Sequence, residues 1–182
     1  MKKEQLKKLV IERLTELRKE RDKAWIIHFK KGDFAKHLRN LPDTPDNILV
    51  ILKGHLLVEQ EINRLLEAKL PNPDAINLRG EYGPRFIHKL SLLRALIPKP
   101  EHVPDIWDLI QKLNKLRNDF SHKLSCERVE PKIDKFVIHT IKAFCLERSD
   151  PLKKHLKKGQ RERIQISLFF IIAYLAYLER SL

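Results

Sequence analysis

Glycine is scarce in this chain, five among 182 residues. Several of the five stand between segments of helical pattern, so the chain reads as helix-rich. Gly80 and Gly83 in "RGEYGP" lack the spacing of a phosphate-cradling loop and read as turn residues. Cysteine is scarcer still: Cys126 and Cys145 are the only two, without CxxC spacing, which excludes a disulfide framework. The eight histidines show neither HExxH nor His/Cys ligand spacing, so no metal and no cofactor is expected. Long apolar runs are missing as well. The most apolar stretch, "IQISLFFIIAYLAYL" over 164–178, is too short to span a bilayer and carries Gln165 and Ser167; it reads as a buried helix. Met1-Lys2-Lys3 is not followed by the apolar segment of a secretory signal, so a cytoplasmic protein is expected, without a membrane partner. No strand-like alternation, hairpin signature or internal repeat is present. No helix-turn-helix with a readable recognition helix stands out, which argues against sequence-specific reading of DNA.

What the chain does have is charge and enough apolar residues for a core. Hydrophobic residues make up 42% and charged residues 34%, a globular balance at a length that suits one domain. The formal net charge is +13. An excess of that size favours polyanions as partners, nucleic acid first and anionic membrane second, against the plainer reading of a solvated basic surface.

Helical periodicity and punctuation divide the chain into about six helices. The first covers 2–29, with Leu6, Leu9, Val10, Leu14 and Leu17 on one side. "LPDTPDN" breaks the chain, and Asp46 or Asn47 caps a second helix to about Leu70. A third runs from Pro84 to Ile97, and a fourth from the first-turn proline Pro104 to His122. A fifth, started by Pro131, ends near Arg148, and the sixth covers about 160–181. The expected fold is all-α, a single-domain helical bundle. Residues 1–45 form an N-terminal helix and linker, 46–148 the helical core, and 149–182 a basic connector with an apolar helix packed on that core.

The fourth helix is the unusual one. At about 100° per residue, Ile106, Leu109, Ile110, Leu113, Leu116 and Phe120 share an arc. Arg117 falls inside that arc, near its edge. Gln111, Asn114, Asn118, Ser121 and His122 form a polar flank, and Asp108, Lys112, Lys115 and Asp119 take the far side. A guanidinium at a core edge is costly unless it is paired or faces a cleft. Arg117 and His122 diverge by about 140° on one helix, so they meet at one anion most readily in a cleft between two subunits. A homodimer is therefore expected.

"RNDFSH", an Arg-x4-His pattern near the end of a helix in a small bundle, resembles the HEPN superfamily. "GPRFIHKLSLLRALI" followed by "LIQKLNKLRNDFSH" is more closely similar to its mannitol-operon-repressor-like branch. The resemblance covers roughly 46–148. It implies a HEPN-like bundle and, from the many HEPN proteins that are metal-independent ribonucleases of toxin or defence type, an RNA substrate. Arg117 would then stabilise the pentacovalent phosphate. His122 would move protons as general base or acid, and Asn118 would orient the histidine or the phosphate. The ribose 2′-hydroxyl would attack, leaving a 2′,3′-cyclic phosphate. HEPN toxins with a nucleotidyltransferase antitoxin often carry tyrosine two residues after the histidine. Leu124 stands there instead, so an antitoxin or regulatory protein of another kind is the partner left open. The other implication of the branch is a non-catalytic regulator, or a helical interaction module, acting through protein contacts. The plainest reading of the pair is a satisfied helix end, with Arg117 bonded to a carboxylate and His122 capping carbonyls.

Two further groups complete the candidate residues. His55 lies in the apolar stripe of the second helix with Glu59 four residues later, a spacing most often found in a satisfied core contact. The sharper reading makes Glu59, with Ser121, a supporting residue that pairs with Arg117 or tunes a histidine. Lys153, Lys154, Lys157, Lys158, Arg161 and Arg163 are the densest basic run, an expected phosphate-tracking surface for RNA.

Overall fold

The structure, a computed structural model, describes residues 41–42, 44–97, 103, 106–122, 129–144 and 159–181, with backbone alone at 122, 129, 180 and 181. The helix expected over 2–29, the end of the fifth helix expected over 145–148 and residues 149–158 of the basic connector lie outside the described residues. Within them every regular element is helical: α1 (Asn47–Lys69), α2 (Phe86–Leu96), α3 (Ile106–His122), α4 (Val129–Ala143) and α5 (Gln160–Ser181), with one 3-10 turn at Pro73–Ile76. The all-α fold expected from periodicity is the fold observed.

The helix boundaries follow local chemistry. Asp46 caps α1, its Oδ1 accepting from the Ile48 and Leu49 amides at 2.9 and 3.2 Å; a cap of this kind contributes about 1 kcal/mol. α4 begins at Val129, two residues before Pro131. The proline thus sits in the first turn, where its missing N–H has no intrahelical acceptor to lose. α4 ends at Ala143, earlier than periodicity suggests. Between the 3-10 turn and α2 the chain reverses on Asn77, whose φ of 50° is left-handed. A Cβ at Gly83 would stand 2.3 Å from the Asn77 carbonyl oxygen, so only glycine fits that close approach.

α1, α3, α4 and α5 pack as a four-membered ring, and α2 lies mainly on α1. Their directions follow from which ends touch. The Asn47 amide donates to Gln160 Oε1 at 2.9 Å, joining the starts of α1 and α5. Arg163 donates to Asp134 Oδ1 at 2.7 Å, joining the early turns of α5 and α4. These three helices therefore run the same way. α3 runs against them, because Asp119 near its end pairs with Lys132 near the start of α4.

The apolar stretch 166–175 of α5 is buried around its whole circumference. α1 packs along it, with Val50, Ile51, Val58, Ile62, Leu65 and Leu66 all buried. Gly54 lets the two helices close in: a Cβ there would lie 2.3 Å from Leu168 Cδ1. Phe144, the residue after α4, adds an aromatic cluster with Phe170 and Tyr174, ring centroids 5.5 and 6.0 Å away. Among the described residues no helix is long and apolar enough to cross a membrane.

Candidate functional site

α3 is the helix that carries the polar strip, and its surroundings change along its length. Ile106, Leu109, Ile110, Leu113 and Leu116 are buried against the other helices. Toward the C-terminal end the cover thins: Phe120 is partly buried and Arg117, on the same arc, is exposed. The position that periodicity assigns to the core edge is thus an open helix end.

Arg117 Nη1 donates to Asn118 Oδ1 at 3.0 Å. No carboxylate pairs with Arg117 among the described residues, so the satisfied ion pair of the plainest reading is not formed there. Ser121 is exposed, and its hydroxyl donates back to the Arg117 carbonyl at 3.0 Å, a bond within the helix that leaves the guanidinium untouched. Asn118 and Ser121 thus both bear on Arg117: one holds its side chain, the other its backbone. His122 is the last residue of α3; its side chain lies outside the described residues.

One turn earlier, the strip reaches into the bundle. Asn114 meets His55 of α1, Oδ1 to Nε2 at 3.0 Å. An amide oxygen only accepts, so Nε2 carries the proton and Nδ1 presents a bare lone pair. That Nδ1 is buried without a partner. The Phe86 ring of α2 lies 4.3 Å from the imidazole, tilted by 38°. Burial first holds His55 below the ordinary histidine range; the Asn114 bond and the Glu59 charge oppose that shift, and the Arg117 charge adds to it. His55 is therefore a neutral interior imidazole within electrostatic reach of Arg117.

Glu59 does not pair with Arg117. Its Oε1 accepts from Lys89 Nζ at 2.8 Å, and the Lys89 side chain is only 7% exposed. Lys89 reaches Glu59 from α2, thirty positions along the chain, so no local pattern announces it. Asn114 was legible as part of the polar flank, but its partner was not. Arg117, Asn118 and Ser121 form one group on α3. His55, Asn114, Glu59 and Lys89 form a second, interior one, joined to the first by charge and not by a hydrogen bond.

Of the basic run, Lys153, Lys154, Lys157 and Lys158 lie outside the described residues. Arg163 is committed to Asp134, and Arg161 stands 3.9 Å from Glu162. Both guanidiniums therefore have intramolecular carboxylates, which reduces what they offer to a phosphate. Among the described residues no three His, Cys, Asp or Glu side chains come together as a metal ion would require. No family model, curated protein or solved structure matches this chain.

Proposed function

We propose that the protein is a metal-independent endoribonuclease whose reacting groups are Arg117 and His122, assembled in a dimer. The observation that carries this reading is Arg117 itself. It is an exposed guanidinium on a polar strip, with no carboxylate partner among the described residues and with its side chain steadied by Asn118. A steadied cation with no carboxylate partner among the described residues suits a transferring phosphoryl group. His122, five positions on, supplies the proton mover.

The reaction is a transesterification. The 2′-oxygen of ribose bonds to the adjacent phosphorus as a base takes its proton, and the 5′-oxygen of the next nucleotide leaves with a proton from an acid. The products are a 2′,3′-cyclic phosphate and a free 5′-hydroxyl. Histidine suits either proton transfer because its ordinary pKa is about 6.5. Arg117 offsets the charge that grows on the non-bridging oxygens, and its planar fork can meet two of them at once.

The test is cleavage of single-stranded RNA in EDTA, with the product ends identified. The wild type should leave cyclic phosphate ends, and a 2′-O-methylated strand should survive. His122→Ala should lower the rate by about 10²–10⁴. Arg117→Lys, which keeps charge but not the fork, should retain the fold and lose most of the activity. If the wild type leaves RNA intact, or His122→Ala cleaves as fast, the nuclease reading fails and a non-catalytic regulator acting through protein contacts takes its place.

A further inference from the structure

A groove of about 320 Å³ lies between α3 and α4, on the side of α3 away from His55. It is lined by Lys112, Lys115, Asp119, Lys132 and Lys135 over a floor of Leu116 and Phe136. The Asp119–Lys132 pair sets an antiparallel register in which Lys112 faces His139 and Lys142 comes one turn further. The electrostatics agree: beyond partial burial, Lys112, Lys135 and Lys142 all bear on His139, lowering its pKa.

The balance of charge in this groove is lopsided. Asp119 is the one carboxylate lining the groove among the described residues, and it is paired with Lys132; Asp108, exposed one turn before Lys112, lies beyond the lining toward Lys142. Asp134, the next acid of α4, is committed to Arg163 on α5. Lys112, Lys115, Lys135 and Lys142 have no carboxylate partner among the described residues, and Nδ1 of His139 is buried without one. Ammoniums gathered this closely repel one another, and a bound anion relieves that repulsion.

We infer that the α3–α4 groove binds the phosphodiester backbone of a nucleic-acid strand. Three features select that occupant. The cations form a row: Lys132, Lys135 and Lys142 extend over about 15 Å of α4, with His139 among them, whereas one strand of a duplex presents a phosphate every 3.4 Å or so of axis. A single small phosphate would leave most of that row unused. The surface is concave, which suits a chain better than a flat bilayer. Finally, the cations are lysines, flexible point charges that meet phosphate oxygens without needing a fixed planar geometry. Contacts to the backbone of this kind carry no sequence information. The inference deepens the RNA-directed reading by supplying a surface for the strand, and rests on it only in naming RNA as the working substrate.

The test uses the full chain and strands of about 20 nucleotides, longer than a typical single-strand site. The RNA is 2′-O-methylated, so it offers no nucleophile and binding is measured apart from cleavage. Fluorescence anisotropy across a salt series should give a steep loss of affinity. Lys112→Gln/Lys115→Gln/Lys135→Gln should weaken binding by about tenfold or more at low salt and flatten the log–log salt slope by about 2 units. Lys132 is left in place because it ties α3 to α4. DNA of equal length should bind within a few-fold and show the same dependence on the three lysines. The triple variant should keep the wild-type circular dichroism and melting temperature. The inference is overturned if the triple variant binds as the wild type does. It is overturned equally if only Lys153→Gln/Lys154→Gln/Lys157→Gln/Lys158→Gln weakens binding, or if phosphatidylserine vesicles bind through the same lysines and strands do not. Cleavage without groove dependence would leave the nuclease reading standing alone; groove-dependent binding without cleavage would leave the groove alone.

Discussion

His55 is held by one nitrogen. Nε2 is bonded to Asn114, and the buried Nδ1 has nothing to accept from. Protonating Nδ1 would place a charge in an interior site without a partner, so burial holds the pKa below the ordinary value. The unfolded chain, with its histidines near 6.5, then takes up more protons than the folded chain as pH falls below that value. Stability must therefore decline from about pH 6.5 downward, until the folded-state pKa is passed. His139 is shifted in the same direction, by partial burial and then by Lys112, Lys135 and Lys142, and adds to the decline. The urea midpoint should accordingly fall between pH 7 and pH 5. In His55→Gln, which stays neutral and can still donate to Asn114, the fall should be smaller, and His139 should contribute to what remains. An unchanged pH slope in that variant would show that His55 titrates as freely as in the unfolded chain. The apolar double replacement His55→Leu/Asn114→Leu should cost less than His55→Leu alone, which leaves the Asn114 amide unmatched at about 1 kcal/mol.

Packing between α1 and α5 depends on a missing side chain. Alanine favours a helix over glycine by about 1 kcal/mol, so Gly54→Ala should stabilise α1 if the helix were alone. In the bundle the new methyl would meet Cδ1, Cδ2 and Cγ of Leu168 at 2.3, 2.7 and 2.9 Å. Leu168 is fully buried, so its side chain would have to shift within a close-packed core. Overpacking of this kind costs about 1–3 kcal/mol, enough to outweigh the propensity gain, and chemical denaturation should show a net loss. Adding Leu168→Ala should give back part of it, a coupling that a double-mutant cycle measures directly. Local rules made α1 readable, since Asp46, the apolar stripe and the break after Lys69 all lie within a few residues of what they control. The same holds for α2, α3 and α5. Pro131 marked the first turn of α4, which is where it stands; a proline is tolerated anywhere in that turn, so it does not fix the first residue. The site was legible only where it lay on one helix. Arg117, Asn118 and Ser121 could be grouped by spacing. The Glu59–Lys89 and His55–Asn114 pairs could not, because each joins two helices whose relative rotation no local pattern fixes. The lysines of α3 had been legible as a solvent face; that α4 brings more of them alongside follows only from the antiparallel register.

At the scale of the whole molecule, the proposed joint action of Arg117 and His122 calls for a second chain. Positions 117 and 122 are about 140° apart on an ideal helix, and both belong to the last two turns of α3, where the cover over Phe120 and Arg117 thins. A two-fold axis near this end would bring the exposed Arg117 of one chain toward the histidine of the other and would cover the partly buried Phe120. Light scattering at micromolar concentration should then give twice the chain mass. Complementation is the sharper test, because it distinguishes a site shared between chains from two sites that merely sit in a dimer. Arg117→Ala and His122→Ala chains should each be inactive. Mixed after partial unfolding and refolded together, about half of the dimers should contain one chain of each kind, and one of the two sites in such a dimer should hold an intact arginine from one chain and an intact histidine from the other. Cleavage should return to about a quarter of the wild-type rate. If both reacting groups come from the same chain, every site in the mixture lacks one of them, and no activity returns at any mixing ratio.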